Sequence, residues 1–293
     1  MALDLRGVFV PNITPFSAQS VDEDALRRVL DHCIAGEVSG LVPCGTTGES
    51  ATLSHEEHRR VVELTIKHAA GRVPVIAGAG SNSTGEAISL VKHAEDSGAD
   101  AVLVICPYYN RPTQSGLIAH FSKVAETTSL PIVMYNIPKR TSVNMEPATV
   151  GELSRIPNIV GIKEASGDLN QVNGMLQVVA RDFSVLSGDG NMTFSICCLG
   201  GVGAILAEAH VLPGEWRRMV ECIAAGKLAQ ARDIHFRLLP LAKALFVETN
   251  PVPVKAAMEM LGLVSGEVRL PLVSATDGCR TLLREELGKL GLL

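Results

Sequence analysis

The chain has 293 residues, a formal net charge of -5 and 46% hydrophobic but only 4% aromatic residues, so it can bury a large core made mainly of aliphatic side chains. No basic cluster offers a footprint for nucleic acid or an acidic membrane surface, and no apolar run reaches membrane-spanning length or follows a secretory pattern. The expectation is a cytoplasmic protein with small-molecule partners.

Short β-branched runs alternate with helix-period segments from the start to about residue 225, the pattern of repeated βα units around a parallel sheet. Eight strands are expected, at 7–12, 40–44, 73–78, 101–106, 131–136, 159–164, 183–187 and 203–206. Eight such units without a dinucleotide fingerprint favour a closed (β/α)8 TIM barrel over an open sheet, with the active site at the carboxyl ends of the strands. The barrel is assigned to residues 1–225. Residues 226–293 form a C-terminal helical extension, with amphipathic stretches at 228–246, 253–261 and 273–287, packed on the barrel or on a neighbouring subunit.

Features that carry chemistry follow the strands in order. The second strand ends in Gly45-Thr46-Thr47-Gly48-Glu49-Ser50. Glycines let backbone amides approach an anion and the threonines add hydroxyls, which suits a small carboxylate as well as it suits an ordinary tight turn. Cys44 beside it has no evident base. The seven cysteines (33, 44, 106, 197, 198, 222 and 279) are odd in number, lack Cys-x-x-Cys spacing and read as buried reduced thiols. Ser54-His55-Glu56-Glu57 and Ser83-Thr84-Gly85-Glu86 both fit the capping box of a helix start. His55 and His58 share a helix face, but at a spacing of three rather than the four of the zinc-protease helix and without an obvious third ligand, so no metal site is expected.

The chain has 3 tyrosines, and all of them lie at or just after predicted strand ends: Tyr108 and Tyr109 in the loop Pro107–Pro112, and Tyr135 closing the fifth strand and opening the stretch that leads to Arg140. A phenol can pass protons near a cationic centre, and a guanidinium can grip a carboxylate with two parallel hydrogen bonds. Lys163 closes the apolar run Ile159-Val160-Gly161-Ile162. Emerging from a strand buried on both faces, its amine meets poorly hydrated walls that disfavour the ammonium form, and a neutral amine attacks carbonyls to make Schiff bases. An ion pair with Glu164 is the competing structural use. The glycines of Gly200-Gly201-Val202-Gly203 could hold a phosphate, but a tight turn into the eighth strand accounts for them.

Two carboxylate grips, a phenol and an amine at neighbouring strand ends describe a Schiff-base aldolase for a 2-oxo acid. The chain resembles the dihydrodipicolinate synthase and N-acetylneuraminate lyase superfamily over essentially its full length, and Pro107-Tyr108-Tyr109-Asn110-Arg111-Pro112, Arg140 and Gly161-Ile162-Lys163-Glu164 are most similar to the dihydrodipicolinate synthase branch. The resemblance implies that Lys163 forms an imine with pyruvate and needs no cofactor. Thr46 and Thr47 would hold the pyruvate carboxylate, with Gly188 and Ile205 lining that pocket. The enamine would attack L-aspartate 4-semialdehyde, oriented by Arg140, to give 4-hydroxy-tetrahydrodipicolinate on the route to lysine. Tyr135 would shuttle protons through Thr46 to Tyr109, which in this family reaches into a neighbour's site, so a homotetramer built as a dimer of dimers is implied. Ser50, Ala51, His55, His58, Asn82, Glu86 and Tyr108 match the family's feedback site for lysine.

Two departures from the family pattern border the pocket. Ser142 stands where glycine usually follows Arg140-Thr141, and Ala207-Glu208-Ala209-His210 replaces a small-polar run ending in asparagine. They bear on the second substrate more than on Lys163. The alternatives are a 2-keto-3-deoxy sugar acid aldolase or sialic acid lyase, against which Arg140 argues, and a barrel that senses ligands without catalysis, against which the set Lys163, Tyr135 and Thr46 argues.

Overall fold

The computed structural model describes residues 3–293. Its strands in chain order are β1 (Gly7–Val10), β2 (Phe16–Ser17), β3 (Ser20–Val21), β4 (Gly40–Leu41), β5 (Ile76–Gly78), β6 (Ala101–Ile105), β7 (Ile132–Asn136), β8 (Ile159–Glu164), β9 (Ser184–Ser187) and β10 (Gly203–Ile205). Eight of them form one parallel sheet in the order β4-β1-β10-β9-β8-β7-β6-β5, and a bridge between Leu41 and Val75 joins its two ends. The expected (β/α)8 barrel is therefore present. Its strands are shorter than the apolar runs suggest at β1, β4 and β5, because Pro11, Pro43 and Pro74 have no amide to give to the ladder.

Alternation along each strand divides the core into two layers. Phe9, Val42, Ile76, Leu103, Val133, Tyr135, Leu186 and Ile205 fill the barrel, while Val8, Val10, Val102, Val104, Met134 and Ile162 pack outward under the helices. The β7–β8 register sets Tyr135 opposite Lys163. Both therefore face the interior at one level, and Glu164 faces the helices.

Two corrections concern the surface. Cys198 is exposed whereas the other six cysteines are buried, because one step along the helix Gly190–Leu199 turns it away from the buried Cys197. A β2–β3 hairpin, unmarked by any Asn-Gly or Asp-Gly turn, precedes the first barrel helix. Its corner residues Ala18 and Gln19 take φ of 49° and 65°, and both amides donate to the carboxylate of Glu267 from the C-terminal segment.

After the last βα unit the chain is helical at Leu228–Ala244, Val252–Met260 and Asp277–Lys289. The last begins four residues later than its apolar pattern suggests, at the Thr276 cap, whose hydroxyl accepts from the Cys279 amide. Gly200, at φ 116°, ends the helix before β10, and a Cβ on Gly203 would lie 2.0 Å from the Gly7 carbonyl oxygen. These glycines serve the turn and the close strand approach, as expected. No helix among the described residues is long and apolar enough to cross a membrane.

Candidate active site

Lys163 ends its interior row 5% exposed, with Nζ 4.2 Å from the centroid of the Tyr135 ring. No carboxylate forms a salt bridge with it among the described residues, and Glu164 is occupied elsewhere, accepting from Asn136 Nδ2 at 2.9 Å and from the Ser166 amide at 2.6 Å. The competing ion pair is thus excluded. Burial is the main cause that lowers the Lys163 amine to about 7; Glu208 opposes this and Arg140 adds to it. Near neutral pH a substantial fraction of the amine is nucleophilic.

Gly188 makes room for this amine, since a Cβ there would lie 3.1 Å from Lys163 Cε and 2.8 Å from the Ala165 methyl. Ile205, fully buried on β10, belongs to the same interior layer. Tyr135 is also buried, which pushes its hydroxyl up to about 12, while a hydrogen bond with Thr46 and the charge of Arg140 work in the opposite direction. A phenol so held stays protonated and can donate.

In the loop after β4, the amides of Gly48, Glu49 and Ser50 close a compact turn onto the carbonyls of Gly45 and Thr46. The amides of Thr46 and Thr47 find no backbone acceptor among the described residues, as a carboxylate cradle requires. Thr47 Oγ1 accepts from Asn250 Nδ2 at 3.0 Å, and the Asn250 carbonyl accepts from Arg140 Nη2 at 2.9 Å. Asn250 thus links the Thr46–Thr47 loop to Arg140. Sequence reasoning missed this role because Asn250 lies about 200 residues from Thr47 and outside the βα rhythm.

A cavity of about 530 Å³ opens beside this cluster. Thr46, Tyr135, Arg140 and Asn250 line one part; Ser50, Ala51, His55, His58, Glu86 and Tyr108 line the other. Of the seven residues expected to bind an effector, only Asn82 is outside the lining, its carbonyl accepting from Asn110 Nδ2 at 2.9 Å. His55 Nε2 lies 3.3 Å from Glu86 Oε1, and burial is the chief cause that lowers His58 to about 4. Glu86 turns to Ser81 and His55 rather than back to its helix cap, so the box at Ser54–Glu57 is complete and the one at Ser83–Glu86 is half made. Among the described residues no group of three or more His, Cys, Asp or Glu side chains is placed to hold a metal ion.

Tyr109 stands apart. It is 89% exposed, with φ of 71°, and does not line the cavity. Cys44 is buried and its thiol is pushed well above its ordinary value by burial, which removes it as a nucleophile.

Glu208 is the main residue that the motifs left unassigned. It sits directly after β10 in the turn Ala207–His210 and is 1% exposed; Oε1 accepts from the Gly190 amide at 2.8 Å, and Oε2 has no partner. A charged residue just past an apolar strand run is the same signal that singles out Lys163.

The Dihydrodipicolinate synthetase family model matches residues 4–290. The chain is 51% identical over 288 residues to 4-hydroxy-tetrahydrodipicolinate synthase of Syntrophus aciditrophicus, covering 98% of this chain and 99% of that protein. It is 51% identical over 287 residues to the enzyme of the same name from Methanothrix thermoacetophila, covering 97% of each. Among solved structures, chloride-inhibited dihydrodipicolinate synthase from Acinetobacter baumannii complexed with pyruvate superposes with a TM-score of 0.97 at 38% identity, covering 99% of this chain and 100% of that one. The enzyme from Cyanidioschyzon merolae with lysine bound gives 0.96 with 39% identity, covering 98% and 99%. A protein described as the first monomeric dihydrodipicolinate synthase variant gives 0.97 with 42% identity, covering 98% and 97%.

Proposed function

Because the chain belongs to the dihydrodipicolinate synthetase family, we propose that it condenses pyruvate with L-aspartate 4-semialdehyde to give 4-hydroxy-tetrahydrodipicolinate, as a cytoplasmic enzyme of lysine synthesis. The observation that carries this reading is Lys163, a buried amine brought near neutrality at the mouth of the barrel and 4.2 Å from a protonated phenol.

The residues divide the work as follows. The neutral Lys163 amine adds to the keto carbon of pyruvate, whose carboxylate sits in the Thr46–Thr47 cradle, while Gly188 and Ile205 bound the methyl side. Loss of water gives a cationic imine, an electron sink that lets a methyl proton leave as the enamine forms. Tyr135, hydrogen-bonded with Thr46, moves these protons. The enamine carbon attacks the aldehyde of the second substrate, held by Arg140 through its carboxylate. The amino group of that substrate then attacks the imine carbon and frees Lys163 as the ring closes. The chemistry is carried by the lysine, with no cofactor required.

Two further parts belong to the same reading. Tyr109 completes the proton path in a neighbouring subunit, in a dimer of dimers; its exposure and its absence from the lining of its own cavity support this. Free lysine occupies the far part of the cavity, with Glu86 beside its ammonium group and the Ser50, Ala51, His55, His58, Asn82 and Tyr108 groups around the rest.

Pyruvate and borohydride should attach a stable adduct to Lys163, located by peptide mass, and Lys163→Ala should lose both adduct and turnover. Turnover on aspartate semialdehyde but not on 2-keto-3-deoxy sugar acids fits this assignment; the reverse preference would reassign the substrate. Added lysine should slow the wild type and leave Glu86→Ala unaffected, and a wild-type rate indifferent to lysine would remove the effector.

A further inference from the structure

Lys163 and Glu208 approach one short segment from two sides. A Cβ on Gly188 would lie 3.1 Å from Lys163 Cε, and a Cβ on Gly190 would lie 2.6 Å from Glu208 Oε1. Both side chains therefore pack against the same three-residue segment, Gly188–Gly190. Both are buried, and neither has an ion-pair partner among the described residues. At the adjacent strand end, Asn12 is 1% exposed with both side-chain amide atoms unpartnered.

The turn that carries Glu208 is fixed. His210 Nδ1 donates to the Ala207 carbonyl at 2.8 Å, which leaves Nε2 to accept from the Ile13 amide at 3.1 Å. Burial holds this ring neutral, lowering it to about 4. The departure from the family pattern is therefore a braced turn that holds a carboxyl group against the segment Lys163 also packs on.

We propose that Glu208 is the buried charge partner of Lys163, a positioning residue that becomes a carboxylate as the nitrogen becomes a cationic imine. The inference rests on the imine reading above. In the step concerned, the carbon–oxygen bond of the carbinolamine breaks, the hydroxyl departs with a proton as water, and the nitrogen lone pair forms the C=N bond. That proton reaches the hydroxyl through Tyr135 and is replaced from Glu208, so the site ends with one positive and one negative charge and no net change. When the methyl proton leaves, the iminium charge is cancelled and Glu208 regains a proton. The mutual effect is visible in the unliganded site: Glu208 works against the lowering of Lys163, and burial, aided by Asp189 and opposed by Lys163 and the Gly190 amide, raises Glu208 to about 7. Arg140 and Tyr135 are the other titratable groups facing the pair.

The test is the pH dependence of imine formation with pyruvate alone, followed by adduct mass, in wild type, Glu208→Gln and His210→Asn. The glutamine keeps an acceptor for the Gly190 amide and removes the charge. It should move the acid limb to lower pH by about one unit, because no carboxylate remains to favour the ammonium form, and weaken pyruvate about tenfold, because none remains to face the iminium. His210→Asn, which loosens the turn but keeps the carboxyl group, should lower the melting temperature and move the limb less than Glu208→Gln does. A folded Glu208→Gln variant with wild-type limb and pyruvate saturation overturns the proposal while leaving the Lys163 adduct intact; absence of adduct in wild type overturns the enzyme reading instead. If Glu208→Gln does not fold, infrared difference spectra of wild type decide: a protonated carboxyl band should vanish on pyruvate binding, and an unchanged band refutes the pairing.

Discussion

At Lys163, reactivity and stability pull against each other. The folded amine has its pKa lowered to about 7, below the ordinary lysine value of 10.5, so the native state disfavours a proton that the unfolded chain keeps. The cost is fully present below about pH 7 and is relieved as pH rises from there toward 10.5. Lys163→Met should therefore be more stable than wild type at neutral pH, by on the order of 2 kcal/mol, with the difference shrinking in alkaline solution. Denaturant titrations at several pH values check this, and a difference independent of pH would contradict it. Ser142 shows a smaller local cost. It takes φ of 59° as the cap of the short helix Pro138–Thr141, a left-handed conformation that explains why glycine suits this position. The second-substrate loop is kept here at the expense of some backbone strain.

At the level of elements, the barrel's carboxyl rim is tied to the C-terminal helices through one buried pair. Lys255 in the helix Val252–Met260 meets Glu49 in the loop after β4, both side chains 1% exposed; the ammonium also donates to the Glu267 carbonyl at 2.7 Å and lies 4.1 Å from the Phe16 ring centroid. Leaving one buried charge alone is costly, so Lys255→Ala should lose about 3–5 kcal/mol, whereas Lys255→Met combined with Glu49→Leu should recover most of it. Chemical denaturation of the singles and the double measures the coupling. This level also shows how far the sequence could be read. Periodicity located every barrel strand because burial on both faces demands continuous apolar runs, and the rule that barrels work at strand ends found Lys163, Tyr135 and Arg140. The β2–β3 corner escaped because Ala18 and Gln19 have no turn preference of their own and depend on Glu267, some 250 residues away. Asn250 and Glu208 escaped for a related reason: the first acts through a long-range contact, and the second matches no expected motif, though its position after β10 obeys the same rule.

At the scale of the whole molecule, Tyr109 is exposed, and the proton path proposed above needs it in a neighbouring subunit's site. Tyr109→Phe should leave folding and subunit assembly intact, as read by melting and light scattering, yet reduce turnover by about 100-fold, the ordinary contribution of a proton-transferring group. Normal turnover in that variant would take Tyr109 out of the proton path. Strain also concentrates on this face, where Cys44, Glu49, Tyr109, Arg111 and Ser142 all have positive φ without being glycine. Such conformations persist where surrounding contacts hold them, as the Lys255–Glu49 pair does for the loop after β4.

The shared cavity has a thermodynamic corollary. Thr46, Tyr135, His58 and Glu86 line the same cavity. Any solute that settles near Glu86 and alters the grip on pyruvate by some factor must have its own dissociation constant altered by pyruvate to the same degree. Inhibitory potency would then be a property of the metabolic state, and a titration carried out without the keto acid would measure a different constant from one carried out at saturation.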